Sequence, residues 1–216
     1  MNEKKIATIV SGSFLSLQNL AETISPDATI TLLHNYLSIA RNSMQKTGGA
    51  FTDMFDGTIA AFWGVHTTSG SPAHDALNAV RSALILRAAF QKTNSTADKR
   101  KRILQSVCGI NTGTVITDDP KLGAKNRRYL IGQNTLLAIR AREIAEKNNV
   151  DIVITAKTWR LIEQYVIVEE IEPLPCANGK ATRLFALVNL RAKQEAEQAH
   201  PTTLRELKSL LSLGAI

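Results

Sequence analysis

"GGAFTDMFDGTIAAFWG", residues 48–64, is the stretch whose reading decides the fold. Apolar residues flank the Asp56-Gly57 step on both sides, the strongest short-range cue for a β-hairpin. Asp56 is then expected at the tip of a tight turn, either as turn chemistry or as a ligand for something positive. Immediately before the hairpin, "SPDATITLLHNYLSIARNSMQKTGG", 25–49, predicts a long helix. Ser25 suits the N-cap, Pro26 the first turn, and Gly48 and Gly49 the end. Ile30, Leu33, Leu37 and Ala40 recur at helical spacing, with Met44 one turn on. Further upstream, "KKIATIV", 4–10, predicts a buried strand ending in "SGS", and "FLSLQNLAET", 14–23, a short helical piece.

Downstream, "SPAHDALNAVRSALILRAAFQ", 71–91, is a second long helix with a Ser-Pro start. "LQSVCGINTGTVIT", 104–117, predicts two short strands bent at Gly113, and "RRYLIG", 127–132, a strand feeding a helix over 133–147. "DIVITAKTWRLIEQ", 151–164, reads as strand then helix, and residues 165–171 and 183–188 as a strand pair around "PCANGK". This order fits an α+β fold, a ferredoxin-like mixed sheet with helices packed on one face. Such a fold hosts many functions, so function must be argued from sites. Residues 1–189 form the expected domain. Residues 190–216 form a helical tail or linker, with a capping box of Thr203 and Glu206 and with Leu204, Leu207 and Leu211 on one face. That tail reads as a helix packed on its own domain, a linker or a dimer contact.

Composition narrows the classes. The chain has 216 residues, 44% of them apolar, and no run of roughly 18 apolar residues that would span a membrane. "MNEKKIATIV" has too short an apolar run for a signal peptide. The two cysteines, Cys108 and Cys176, stand alone, which suits a reducing compartment and makes the cytoplasm the default location. The net charge of +7 is concentrated in "DKRKR", 98–102, and at Lys121, Lys125, Arg127 and Arg128. Few aromatics accompany these charges, which argues against base stacking and against nucleic acid as a partner. Attraction for a polyanionic nucleotide, or solubility, is the expected consequence. The four histidines show no ligand spacing. Ser11 and Ser13 have no histidine or acid placed to activate them.

Several stretches, in order and at matching spacing, resemble the catalytic domain of class III nucleotide cyclases. "SPDATITLLHNYL" resembles the family's first long helix, and "GGAFTDMFDGTIAAFWG" its Gly-Gly and Gly-Asp-Gly hairpin. "HDALNAVRSAL", 74–84, resembles the next helix, and "GINTGTVI", 109–116, the Gly-Ile-His-Thr-Gly strand. "YLIGQNTLLAIRAREIA", 129–145, resembles the Ile-Gly-Asp-Thr-Val-Asn-Leu-Ala-Ala-Arg segment. The collinearity covers residues 4–188.

The resemblance implies a chemistry and a set of positions. Family members join the ribose 3′-oxygen to the α-phosphorus and expel pyrophosphate, with two metal ions held by two carboxylates. The other subunit of a head-to-tail dimer supplies an Asn and an Arg, and a Lys/Asp pair reads adenine. Here the hairpin carboxylate is Asp56, the candidate metal ligand, while the first-strand carboxylate falls at Val10 or Ser11. The adenine-reading Lys falls at Thr52 or Asp53 and its Asp at Gln133, so Thr52 and Gln133 are the candidate nucleotide-binding residues. The transition-state Asn is Leu136. The transition-state Arg is kept as Arg140, the candidate catalytic residue, which as a helix surface or interface residue has a second explanation. Losing one active-site charge donor costs about 10²–10³ in rate, and several losses coincide here. The expectation is a degenerate cyclase domain acting as a regulatory or dimerising partner, in a homodimer or a heterodimer with another cyclase domain. The alternative is an active divergent adenylate cyclase, alone or as half of a heterodimer. ATP is the candidate nucleotide, with magnesium or manganese if any metal binds and no cofactor otherwise.

Overall fold

The computed structural model of the chain describes residues 3–15, 22–53, 57–65, 70–96, 105–117, 130–175, 179 and 181–192. Strand β1 (Glu3–Leu15) organises the sheet. It pairs antiparallel with β3 (Ile59–Trp63) on one side and with β4 (Gln105–Thr117) on the other. β2 (Ala50–Asp53) pairs with β3 at one edge. Beyond β4 come β6 (Ile152–Thr155), parallel to it, then β8 (Ala181–Leu190) and β7 (Val166–Pro175). The order is β2-β3-β1-β4-β6-β8-β7, with the short β5 (Leu130–Ile131) on the far end of β4. It is a mixed α+β sheet of the expected class.

Helices cover both faces, not one. On the first face lie α1 (Pro26–Gln45), α2 (Pro72–Thr96) and α4 (Ala156–Ile162), packed on Val10, Ile59, Trp63, Ile110 and Ile154. On the opposite face lies α3 (Gln133–Lys147), whose Ala138, Ala141 and Ala145 are buried on β1, β4, β6 and β8. An alanine stripe has little apolar weight, so periodicity alone does not announce it as a core face. Its role is to let backbone approach backbone. A Cβ added at Gly109 of β4 would lie 2.2 Å from both the Ala138 carbonyl oxygen and the Arg142 amide nitrogen. Glycine is required there because α3 sits directly on the strand.

Both serine-proline helix starts are as expected. Ser25 Oγ accepts from the Ala28 amide at 3.3 Å, and Ser71 Oγ from the His74 amide at 3.2 Å. The inward stripe of α1 includes the expected Leu33, Leu37, Ala40 and Met44, joined by Tyr36 and Ser43, while Ile30 is exposed. Residues 14 and 15, expected to begin a helical piece, instead end β1. Phe14 pairs with Ser106, and its ring packs against those of Tyr36 and Phe90, at centroid distances of 5.9 and 5.6 Å. Likewise β4 is one 13-residue strand with no bend at Gly113, because Gly113 stays in register with Ala7 and makes room for the Asn134 side chain.

The hairpin exists: β2 and β3 pair antiparallel from Ala50 with Phe62 to Asp53 with Ile59, and residues 54–56 of its turn lie outside the described residues. The register is set by the core: Ala61 and Trp63 point inward, and Trp63 Nε1 donates to the Thr47 carbonyl at 2.9 Å. Asp56 lies outside the described residues, as do 127–129 of the expected 127–132 strand and 193–216 of the expected tail.

The seating of α3 gives a direct test. Gly109→Val forces the helix off the sheet and should cost about 3 kcal/mol in a urea unfolding experiment, whereas Gly48→Ala, at an open loop position, should cost less.

Candidate functional site

One row of directly paired residues crosses the sheet on the α3 face: Thr52 to Ala60, Ala60 to Ser11, Ser11 to Gly109. Gly109 lies under α3. Moving outward, the row passes the buried Ser11, the half-buried Ala60 and the exposed Thr52 on the edge strand. Three strand spacings separate Thr52 from Gly109, about 14 Å at the usual interstrand distance.

On α3, Gln133 is the first helical residue and is exposed. Leu136 is 46% exposed, and Arg140, one turn further, is half-buried. Both are directed away from the alanine stripe, since residues four apart share a helix face. Within a single chain, then, Gln133, Leu136 and Arg140 stand on one helix and Thr52 stands on the distant edge of the sheet. The structure does not bring the four together.

The first-strand position fits no metal. Val10 is fully buried among the apolar side chains under α2. Ser11 faces the opposite side but offers only a neutral hydroxyl, whereas hard divalent cations call for carboxylates to offset their charge. β1 also continues four residues past Ser11, through Leu15, in unbroken register with β4. Among the described residues, no group of three His, Cys, Asp or Glu side chains is placed to hold a metal ion.

Sequence reasoning passed over the residues that lock α3 in place. Asn111 Nδ2 donates to the Asn134 carbonyl at 2.8 Å, and Asn134 Nδ2 donates to the Thr114 carbonyl at 2.8 Å. The Thr155 hydroxyl donates to Asn111 Oδ1 at 2.7 Å. Behind it, the Thr8, Thr112 and Thr158 hydroxyls lie 2.9 and 3.2 Å apart in sequence along the network. The only advance signal was the Gly109 and Gly113 pair, which marks close backbone approach. A second cluster joins the other end of α3 to β1. The Ser13 hydroxyl bonds the Glu146 carboxylate, and Arg142 Nε lies 3.8 Å from the same carboxylate oxygen.

Two shifted ionisations belong to Cys108, beside Gly109 on β4, and to Asp75 on α2. Burial, reinforced by Asp151 and opposed by Arg142, pushes the Cys108 thiol up to about 12, so it is not a nucleophile. Burial also raises Asp75, against the opposing pull of His74.

Comparison with known proteins agrees with this architecture. No family model and no curated protein matches the sequence. Among solved structures, the adenylyl cyclase CyaB from P. aeruginosa superposes with a TM-score of 0.75 at 22% identity, over 88% of this chain and 97% of that one. The chain has the fold of a class III nucleotide cyclase catalytic domain. A bacterial light-regulated adenylyl cyclase matches this cyclase fold with a TM-score of 0.72 at 16% identity, over 94% of this chain and all of that one. The guanylate cyclase domain of RhGC from Catenaria anguillulae, solved with GTP, gives 0.71 at 14% identity over 88% of this chain and all of that one.

Two measurements test the site as described. Asn111→Ala removes the acceptor of the Thr155 hydroxyl and the donor to the Asn134 carbonyl and should lower stability by about 2 kcal/mol. In a Cys176→Ser background, Cys108 should resist a thiol reagent in the native state and react at once on unfolding. Because its ionisation is raised, its contribution to stability is complete below its ordinary value of 9.0 and drains away as pH climbs toward 12.

Proposed function

We propose that this chain is a degenerate cyclase-homology domain that acts as a regulatory or dimerising partner in cyclic-nucleotide signalling, not as a self-sufficient cyclase. One observation carries the reading. At two positions where the family's chemistry needs a carboxylate and an amide, this chain has Val10 or Ser11, a buried valine or a buried neutral hydroxyl, and an exposed leucine, Leu136. Neither first-strand residue offsets the charge of a divalent cation, and the leucine side chain cannot hydrogen-bond a nucleotide. Base reading is altered too, with Thr52 and Gln133 where a Lys and an Asp belong. Asp56 and Arg140 remain as what is left of a metal ligand and a transition-state cation.

The partner in this reading is a second cyclase domain, in a homodimer or a heterodimer. One of the solved structures with this fold is described as a non-canonical dimeric guanylyl cyclase domain. A surface suited to such a contact lies at the free end of the sheet. Ile116 pairs directly with Ile131, and Ile6 pairs with Thr114 beside it. These isoleucines are 44%, 65% and 52% exposed on the same sheet face. Exposed apolar clusters of this kind mark interaction sites. No helix among the described residues is long and apolar enough to cross a membrane, and the reading places the protein in the cytoplasm, with residues 190–216 as linker or contact.

The alternative, an active divergent adenylate cyclase, is favoured by the retention of Arg140. An assay of the purified chain with ATP or GTP and magnesium or manganese separates the two. The expected outcome is no cyclic nucleotide above background; turnover abolished by Asp56→Ala would sink the degenerate reading. Ile131→Glu should weaken self-association or pairing with a competent cyclase domain at least tenfold, measured by analytical ultracentrifugation. An unchanged mass distribution would remove this surface from the proposal.

A further inference from the structure

At Ser11, the one of the two positions open to the metal carboxylate (Val10 or Ser11) that faces α3, the sheet carries a built-in cation. The Arg142 backbone lies over Gly109, which pairs directly with Ser11. Its side chain is only 13% exposed, and its Nε, fully shielded from solvent, has no hydrogen-bond partner. The same Nε lies 3.8 Å from the Glu146 oxygen that binds Ser13, two residues along β1 from Ser11 and on the same face. A guanidinium held between Gly109 and Ser13 therefore passes the Ser11 position. Glu146, one helical turn on, balances its charge.

We propose that Arg142, neutralised by Glu146 and steadied through Ser13, takes the place of a divalent cation at this end of β1. The junction between strand and helix is then held without metal. A divalent ion brought to Ser11 would meet the fixed positive charge of Arg142 and only neutral hydroxyls on the strand. The inference deepens the degenerate reading, because it explains how the first-strand carboxylate can be absent without leaving the junction open. It also makes a separate prediction. Restoring a carboxylate at residue 11 does not restore a metal site while Arg142 is present, because the new carboxylate pairs with the guanidinium.

The test uses the full chain and manganese alone as probe, read by the electron paramagnetic resonance of free and bound ion and by the thermal midpoint. The wild type and Ser11→Asp should bind no manganese in this region and show the same midpoint in chelator and in manganese. Ser11→Asp combined with Arg142→Met should gain bound manganese and a midpoint that rises with it by about 3–6 °C. Glu146→Gln should lower the midpoint of the otherwise unaltered chain, with no recovery on adding manganese. The proposal is overturned if Ser11→Asp alone gains the ion as well as the double variant does, or if the folded double variant gains none. Should the double variant fail to give a folded circular dichroism spectrum, Glu146→Gln decides: recovery of its midpoint by manganese overturns the proposal. To separate an ion held at Asp56 alone, the wild type and Ser11→Asp are also measured with Asp56→Asn, and an ion lost from them on that substitution is assigned to Asp56 and not to residue 11. Cyclase turnover does not enter, so failure of the degenerate reading and failure of this one are told apart.

Discussion

The close approach of α3 to the middle of the sheet is the constraint on which the rest of the structure depends. At Gly109 the backbone of the helix rests on the backbone of β4, with no side chain between them. Everything on that face follows from the contact. Alanines at 138, 141 and 145 are small enough to permit it. Asn134 drops into the space left by Gly113 and is pinned by Asn111 and the Thr114 carbonyl. Arg142 and Glu146 are delivered to Ser13, and Leu136 and Arg140 are turned outward. Close packing makes such a contact all-or-none, since a single added methyl has nowhere to go.

That arrangement separates what the fold needs from what a cyclase reaction needs. The fold rests on Gly109, Gly113, the alanine stripe, and the aromatic stack of Phe14, Tyr36 and Phe90, in which Tyr36 and Phe90 lie 4.6 Å apart. None of these carries charge to a substrate. Val10 belongs to that packing, whereas Thr52, Gln133 and Leu136 are exposed and can change without disturbing it. A chain can therefore keep a TM-score of 0.75 to an adenylyl cyclase at 22% identity while its exposed residues differ. Fold and function are under different physical controls here.

Much of this was legible in the residues. The capped helices over 25–49 and 71–91, the helix over 133–147 and the strand pair closing the chain are all written in local signals: N-caps, helical spacing, alternation. The side of the sheet taken by α3 was not, because alanine is nearly silent in a hydrophobic pattern and glycine reads as a turn or a bend. The same silence made Gly113 look like a break in β4. At Gly113 and at Phe14 a tertiary contact overrode a local preference: the Asn134 side chain at the first, and the Tyr36 and Phe90 rings that hold Phe14 in the strand at the second.

Taken alone, the sequence determined the α+β class and the order of the elements, because spacing and residue type are properties of the chain itself. Only the tertiary structure decided that Val10 is locked in the core, that Thr52 and Arg140 stand far apart in one subunit, and that a guanidinium from α3 lies along the end of β1. Burial and separation depend on which strands lie side by side, and long-range pairing leaves no mark at any single position.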